Sequence, residues 1–237
     1  MLCSGRRPDP PMTPAKAILF DFGGTLDADG VPWKDRMRRL CHDEGILGNA
    51  EPFDPIFYAA DDALVGTIPA SLPLRDTVRQ LVAGVMRGLR VDDASIAERL
   101  IDRFVGDMRR HLDENLPLLA ALSHRYRLGV VSNFYGNLAA VCDDAKVSRY
   151  FDVIVDSVAV GWEKPDPRIF RAALDQLELP TAVVTFVGDS ARRDMLGAKT
   201  VGMPHIWLRA EGSASDAVCC PEDRCVASLG ALEGLLL

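Results

Sequence analysis

The stretch that decides the fold is residues 15–30, AKAILFDFGGTLDADG. A short apolar run ends on Asp21, and Gly23, Gly24 and Thr25 follow at once. An apolar run of this length, bounded by turn residues, reads as a buried strand. In an open parallel sheet, ligands bind beyond the carboxyl ends of the strands. Asp21 therefore stands where a reactive or metal-binding carboxylate belongs.

Further runs of the same kind follow: RLGVVS (127–132), VVTFVGD (183–189), HIWL (205–208) and a weaker FDVIVD (151–156). Helical patterns such as PRIFRAALDQL (167–177) and RRDMLGAKTVG (192–202) separate most of them. Strands alternating with helices predict an α/β fold, a Rossmann-like parallel sheet covered on both faces. Residues 31–114 read differently. Apolar side chains recur at helical spacing in four stripes: Met37, Leu40 and Cys41; Phe53 to Leu64; Leu74 to Leu89; and Ile96 to Leu112. Four amphipathic helices with no strand between them predict a small helical bundle. The expected organisation is a loose tail over 1–14, an α/β core from 15–30 and 115–237, and an inserted bundle over 31–114.

The chain has 237 residues, 27 basic and 34 acidic, with a formal charge of −7. That acidity argues against nucleic acid or an anionic membrane as partner. No apolar run reaches the length of a membrane span, and the proline-rich start MLCSGRRPDPPMTP shows no secretory signal. The expectation is a cytoplasmic protein with reduced thiols. Cys219, Cys220 and Cys225 cluster, but no second cysteine pair or histidine pair completes a zinc set. The four histidines show no site-like spacing, and Arg192 and Arg193 read as a solvated face.

At the strand ends stand Asp21 with Gly23 and Gly24, Ser132 with Asn133, and Gly188-Asp189 with Asp194 one helical turn later. Lys164 lies in the loop GWEKPDP. Carboxylates, a hydroxyl, an amide, a cation and glycine-opened backbone N–H groups suit a phosphate with a divalent cation. Individually each has a plainer role: strand-end Asp and Ser-Asn pairs cap helices, and Asp194 complements a helix dipole.

These four pieces, in this order, resemble the haloacid dehalogenase-like (HAD) hydrolase superfamily. Its first motif is an apolar strand ending in D-x-D-x-T, its second a strand ending in Ser or Thr, its third a Lys and its fourth an acidic motif, here GDSARRDMLGAKTVGM. The inserted bundle is similar to that superfamily's α-helical, C1-type cap. The resemblance implies that Asp21 is a nucleophile forming an aspartyl phosphate on a small phosphorylated metabolite. It implies Mg²⁺ held by Asp21, the Gly23 carbonyl and Asp189, with Asp194 as a ligand or outer acceptor. Ser132 and Lys164 would hold phosphate oxygens, and N–H groups near Gly24 and at Asn133 would complete the cradle. Thr25 steadies the turn.

The departure is Gly23, where the family's phosphatases carry a second Asp that protonates the leaving group and then activates water. Loss of a general acid/base costs about 10²–10⁴ in rate. Asp27 and Asp29 fall past the turn and are expected not to replace it. Three readings stay open: a Mg²⁺-dependent phosphohydrolase with weakened acid/base help, a non-catalytic phosphate or metabolite receptor, and a dehalogenase-like hydrolase. Against the last, the metal-binding GDS is kept. If Gly23 is merely a lost acid, Gly23→Asp is expected to raise turnover of alkyl phosphates.

Overall fold

A computed structural model of the chain describes residues 15–48, 52–209 and 224–237. The tail expected over 1–14 and the pair Cys219-Cys220 lie outside the described residues. Strand β1 (Ala17–Phe20) is followed by α1 (Trp33–Asp43), α2 (Phe53–Asp62), α3 (Leu74–Gly88) and α4 (Ala94–Ser123). The alternating half then runs β2 (Arg127–Ser132), α5 (Leu138–Asp144), β3 (Val153–Asp156), α6 (Ser157–Val160), α7 (Pro167–Leu177) and β4 (Val184–Gly188). It closes with α8 (Leu196–Thr200), β5 (His205–Leu208), β6 (Arg224–Val226) and α9 (Glu233–Leu236).

The six strands form one parallel sheet in the order β3-β2-β1-β4-β5-β6. All four residues of β1 are buried, as a central strand covered on both faces requires. The order places β1 between β2 and β4, with Phe20 level with Val130 on one side and Val187 on the other. The carboxyl ends of all three motif-bearing strands thus meet at one point. The chain reverses its direction of winding between β1 and β4, and that is where a crevice opens.

Two apolar layers hold the sheet. On one face Ile169, Phe170, Ala173 and Leu177 of α7 pack with Phe186 and Leu19. On the other, Ile18, Phe20 and Val130 join a cluster that continues through Phe22 and Trp33 into the four-helix insert. Local signals explain the helix starts. Asp93 accepts hydrogen bonds from the N–H groups of Ser95 and Ile96, capping α4. Asp166 caps α7 through Arg168 N–H, with Pro167 in the first helical position.

One boundary and one strand differ from the sequence expectation. The break placed at 114/115 falls inside α4, which continues to Ser123 through Pro117. Leu118, Leu119 and Leu122 continue its apolar stripe, and Asn115 Nδ2 donates to Leu26 O at 3.0 Å, fastening the helix under the first loop. Strand β6 was not expected, because RCV is too short to show a period of two. No helix among the described residues is long and apolar enough to cross a membrane.

The buried thiols Cys41 and Cys142 give a prediction. Burial pushes each up to about 12 from an ordinary value of 9.0. Below pH 9 both states keep the proton and nothing changes. Between pH 9 and 12 only the unfolded chain ionises, so stability falls as pH rises, by up to about 1.4 kcal/mol per pH unit for each thiol. Urea titrations at pH 8 and pH 10 should show a shallower pH slope for Cys142→Ala than for the parent. Equal slopes would refute this.

Candidate active site

Asp21 sits one residue beyond β1 and is 7% exposed. Its Oδ1 accepts a hydrogen bond from Ser132 Oγ at 2.7 Å and from Lys164 Nζ at 2.6 Å. Lys164 Nζ also meets Asp194 Oδ1 at 2.7 Å. No other group among the described residues reaches this buried Asp194 oxygen, so it keeps unused acceptor capacity. The other Asp194 oxygen accepts the Ser190 N–H at 2.9 Å. One ammonium therefore stands between two carboxylates from opposite sides of the crevice.

Asp189 completes the set. Ligand oxygens of Asp21, Asp189 and Asp194 all lie within 4.8 Å of one another. Burial, followed by the charges of Asp21 and Asp194, holds the Asp189 carboxyl well above its usual value. Burial likewise raises Asp194, to about 6, against the pull of Lys164. For Lys164, burial pulls the ammonium down, but Asp194 and Asp21 outweigh it and the net direction is up. Three converging carboxylates with one cation are an unbalanced anionic site. Hard oxygen donors with spare acceptor capacity in that arrangement fit a small divalent cation.

The glycines are specific to this geometry. Gly24 has φ +87°, and a Cβ there would overlap the Asp189 carboxylate. A Cβ at Gly188 would crowd the Asp194 carboxylate in the same way. Gly24→Ala is expected to displace Asp189 and weaken the thermal stabilisation given by added Mg²⁺ at least tenfold in concentration. An unchanged Mg²⁺ midpoint in thermal melts would contradict this.

One expected phosphate contact is redirected, and the Asn133 side chain has a separate task. The Gly24 N–H donates to Asp27 Oδ1 at 2.6 Å and is not free for a ligand. The Asn133 side chain is a clamp, accepting the Lys164 N–H at 2.6 Å and donating to Lys164 O at 3.1 Å. It aims the lysine rather than touching a ligand, leaving its main-chain N–H as the group it can offer. Thr25 is fully buried and its hydroxyl donates to Asp189 Oδ1 at 3.4 Å, steadying that carboxylate as well as the turn.

A cavity of about 750 Å³ opens above Asp21, walled by Trp33, Phe57, Tyr58 and Asp61 of the insert and by Phe134 and Tyr135 after β2. From the sequence, Trp33 and Phe57 are candidates both for the pocket wall and, more so, for the core. Both are buried, and both also line the cavity. The sequence did not single out Asp61 or Tyr135, and it placed Asp27 past the turn without its clamping role. Asp27 is fully buried behind the turn, where its Oδ2 accepts the Trp33 indole N–H at 2.7 Å and Arg36 Nη1 at 2.8 Å. The Tyr135 hydroxyl donates to Asp61 across the boundary between core and insert. Beside it the Gly66 N–H donates to Tyr135 O at 3.2 Å, and Asn137 Nδ2 donates to Leu72 O at 2.8 Å. These partners are distant in sequence and no local pattern announces them.

The model of the haloacid dehalogenase-like hydrolases matches residues 15–202, and the chain belongs to that family. It is similar to the plasmid phosphoglycolate phosphatase of Cupriavidus necator, 30% identical over 230 residues, 94% of each chain. It is 44% identical over 84 residues to haloacid dehalogenase-like hydrolase domain-containing protein 3 of Bos taurus, covering 35% of this chain and about a third (33%) of that relative's length. A solved dehalogenase structure superposes with TM-score 0.63 at 22% identity, over 94% of this chain and 97% of that one. At that identity the likeness shows the fold.

Proposed function

We propose that the protein is a Mg²⁺-dependent phosphohydrolase acting on a small phosphorylated metabolite through an aspartyl phosphate on Asp21. The observation that carries this is the environment of Asp21 Oδ1, held by Ser132 and Lys164 while Asp189 and Asp194 converge beside it. Ser132 and Lys164 both donate to Oδ1, so Oδ2 is the oxygen open to attack. It bonds to phosphorus as the ester P–O bond breaks, and that electron pair leaves on the departing oxygen. Water then attacks phosphorus, and the bond to Asp21 breaks to return the carboxylate and free phosphate. Lys164 and Ser132 are placed to accompany phosphate oxygens through both steps, Lys164 offsetting charge that builds on them. Asp21, Asp189, Asp194 and the Gly23 carbonyl would hold the Mg²⁺, which supplies charge neutralisation at the phosphoryl oxygens.

Gly23 offers no proton, so substrates with weakly basic leaving groups are favoured. The helices over 33–123 act in this reading as the cap, closing the cavity against water. The similarity to a phosphoglycolate phosphatase supports phosphate ester chemistry. A cytoplasmic setting is part of the same proposal, as is the absence of nucleic acid and anionic membrane as partners, which rests on the charge of −7.

The test is phosphate release from a panel of acyl, aryl and alkyl phosphates with Mg²⁺ and with chelator. Release only with Mg²⁺ is expected. No release from any of them would leave a phosphate receptor. Chloride release from 2-haloacids without metal would replace both with a dehalogenase.

A further inference from the structure

Gly23 is not required by the backbone. Its φ of −73° and ψ of 118° are open to any residue. Trp33 crowds the place where a side chain at 23 would begin. A Cβ at position 23 would lie 3.3 Å from the indole Nε1, 3.5 Å from Cδ1 and 3.7 Å from Cε2. The indole is also fixed. Its N–H is bonded to Asp27, and its ring meets Phe104 edge-on at 5.4 Å and Phe134 edge-on at 5.9 Å. Only 8% of Trp33 is exposed, and it lines the cavity together with Asp21 and Gly23.

Resting on the phosphohydrolase reading, we infer that Trp33 is the surface on which the leaving group is seated and that the site takes aryl phosphate monoesters. Two independent features converge on that class. The first is the absence of an acid at position 23, which leaves the departing oxygen to go unprotonated. A phenol leaves with an acidity near pKa 10, whereas an alkyl alcohol is closer to water at about 16. The second is the wall itself. Trp33 is flanked by Phe134 and Tyr135 at ring distances of 5.9 and 6.4 Å, with Phe57 and Tyr58 on the same cavity. A planar ring stacks on such a surface, adding about 0.5–1.5 kcal/mol to its area burial. Acyl phosphates satisfy the first feature and not the second. Asp27 cannot supply the absent proton, because the indole lies against it and its carboxylate is occupied by Gly24, Trp33 and Arg36.

A second consequence concerns Gly23→Asp. The new side chain meets a ring held by a hydrogen bond and two aromatic contacts, so the substitution alone does not restore a working acid. Alkyl phosphate turnover is expected to stay flat in Gly23→Asp.

The deciding measurement is calorimetric binding of phosphonates, which bind without being turned over. With Mg²⁺ present, wild type should bind phenylphosphonate about tenfold more tightly than cyclohexylphosphonate or methylphosphonate. Trp33→Phe should keep most of that preference, and Trp33→Leu should lose it while still binding methylphosphonate. Equal wild-type affinity for phenyl and cyclohexyl would overturn the inference, whether or not Trp33→Leu folds. So would a parallel loss for all three ligands in a folded Trp33→Leu. Ring-selective binding without hydrolysis of any phosphate would instead remove the phosphohydrolase reading and leave the aromatic seat standing.

Discussion

Asp21→Asn is expected to lower phosphate ester turnover by at least about 10⁴-fold while leaving the protein folded. The amide keeps an oxygen where Ser132 and Lys164 now donate, so the neighbours of Oδ1 retain their partner. It cannot attack phosphorus, because the second heteroatom is a nitrogen whose lone pair is delocalised. The same substitution removes one of the charges that raise Asp189 and Asp194. The metal-free variant should therefore melt no lower than the parent, while its added stability in Mg²⁺ should shrink. Single-turnover phosphate release and thermal melts with and without Mg²⁺ test both halves. Turnover above a tenth of the parent rate would show that Asp21 is not the nucleophile.

The second large effect belongs to Asp27, which touches no substrate. Asp27→Ala is expected to cost about 3–5 kcal/mol, the range for removing one partner of a buried ion pair. Burial pushes the Asp27 carboxyl above its usual value and Arg36 draws it back, so the pair adds little net electrostatic stability. The cost comes from what truncation orphans: the Gly24 N–H, the Trp33 indole N–H and the Arg36 guanidinium, itself 5% exposed. Arg36 retains an ion pair to Asp107 at 3.0 Å, which places the expectation near the lower end of the range. For a chain of this length a loss of that size lowers Tm by roughly 10 °C. Adding Arg36→Met to Asp27→Leu should recover part of it, since the unpaired buried charge is then gone. A Tm within about 2 °C of the parent for Asp27→Ala would show that the clamp bears no stress. Turnover should fall too, because the loop carrying Gly23 and Gly24 loses its tether.

The sequence was most legible where a residue's role depends on its own element. Ala17–Phe20 must be a central strand because each side chain is apolar, and Asp21 must then project beyond its end. Pro167–Leu177 carries its own cap, first-position proline and apolar stripe, and it forms over the residues its pattern marks. The motif order brings Ser132, Lys164, Asp189 and Asp194 to Asp21 because parallel βαβ connections leave all those strand ends on one edge. Chain order therefore determined which side chains gather around Asp21.

What the sequence left open was every role set by a partner remote in chain position or on another element. Nothing near Asn133 in the chain tells that its side chain is bonded on both sides to Lys164, 31 residues away. Gly24 reads as an anion cradle until its N–H is found spent on Asp27. The boundary at 114 reads as a linker until α4 passes through it, because one apolar stripe serves both the insert and the sheet. Gly23 changed most. By itself it is an absent acid, whereas in the folded chain an indole from α1 crowds the place where a side chain would begin. Periodicity and motif spacing report which face a residue presents. Only packing decides which atom from another element fills the space in front of it.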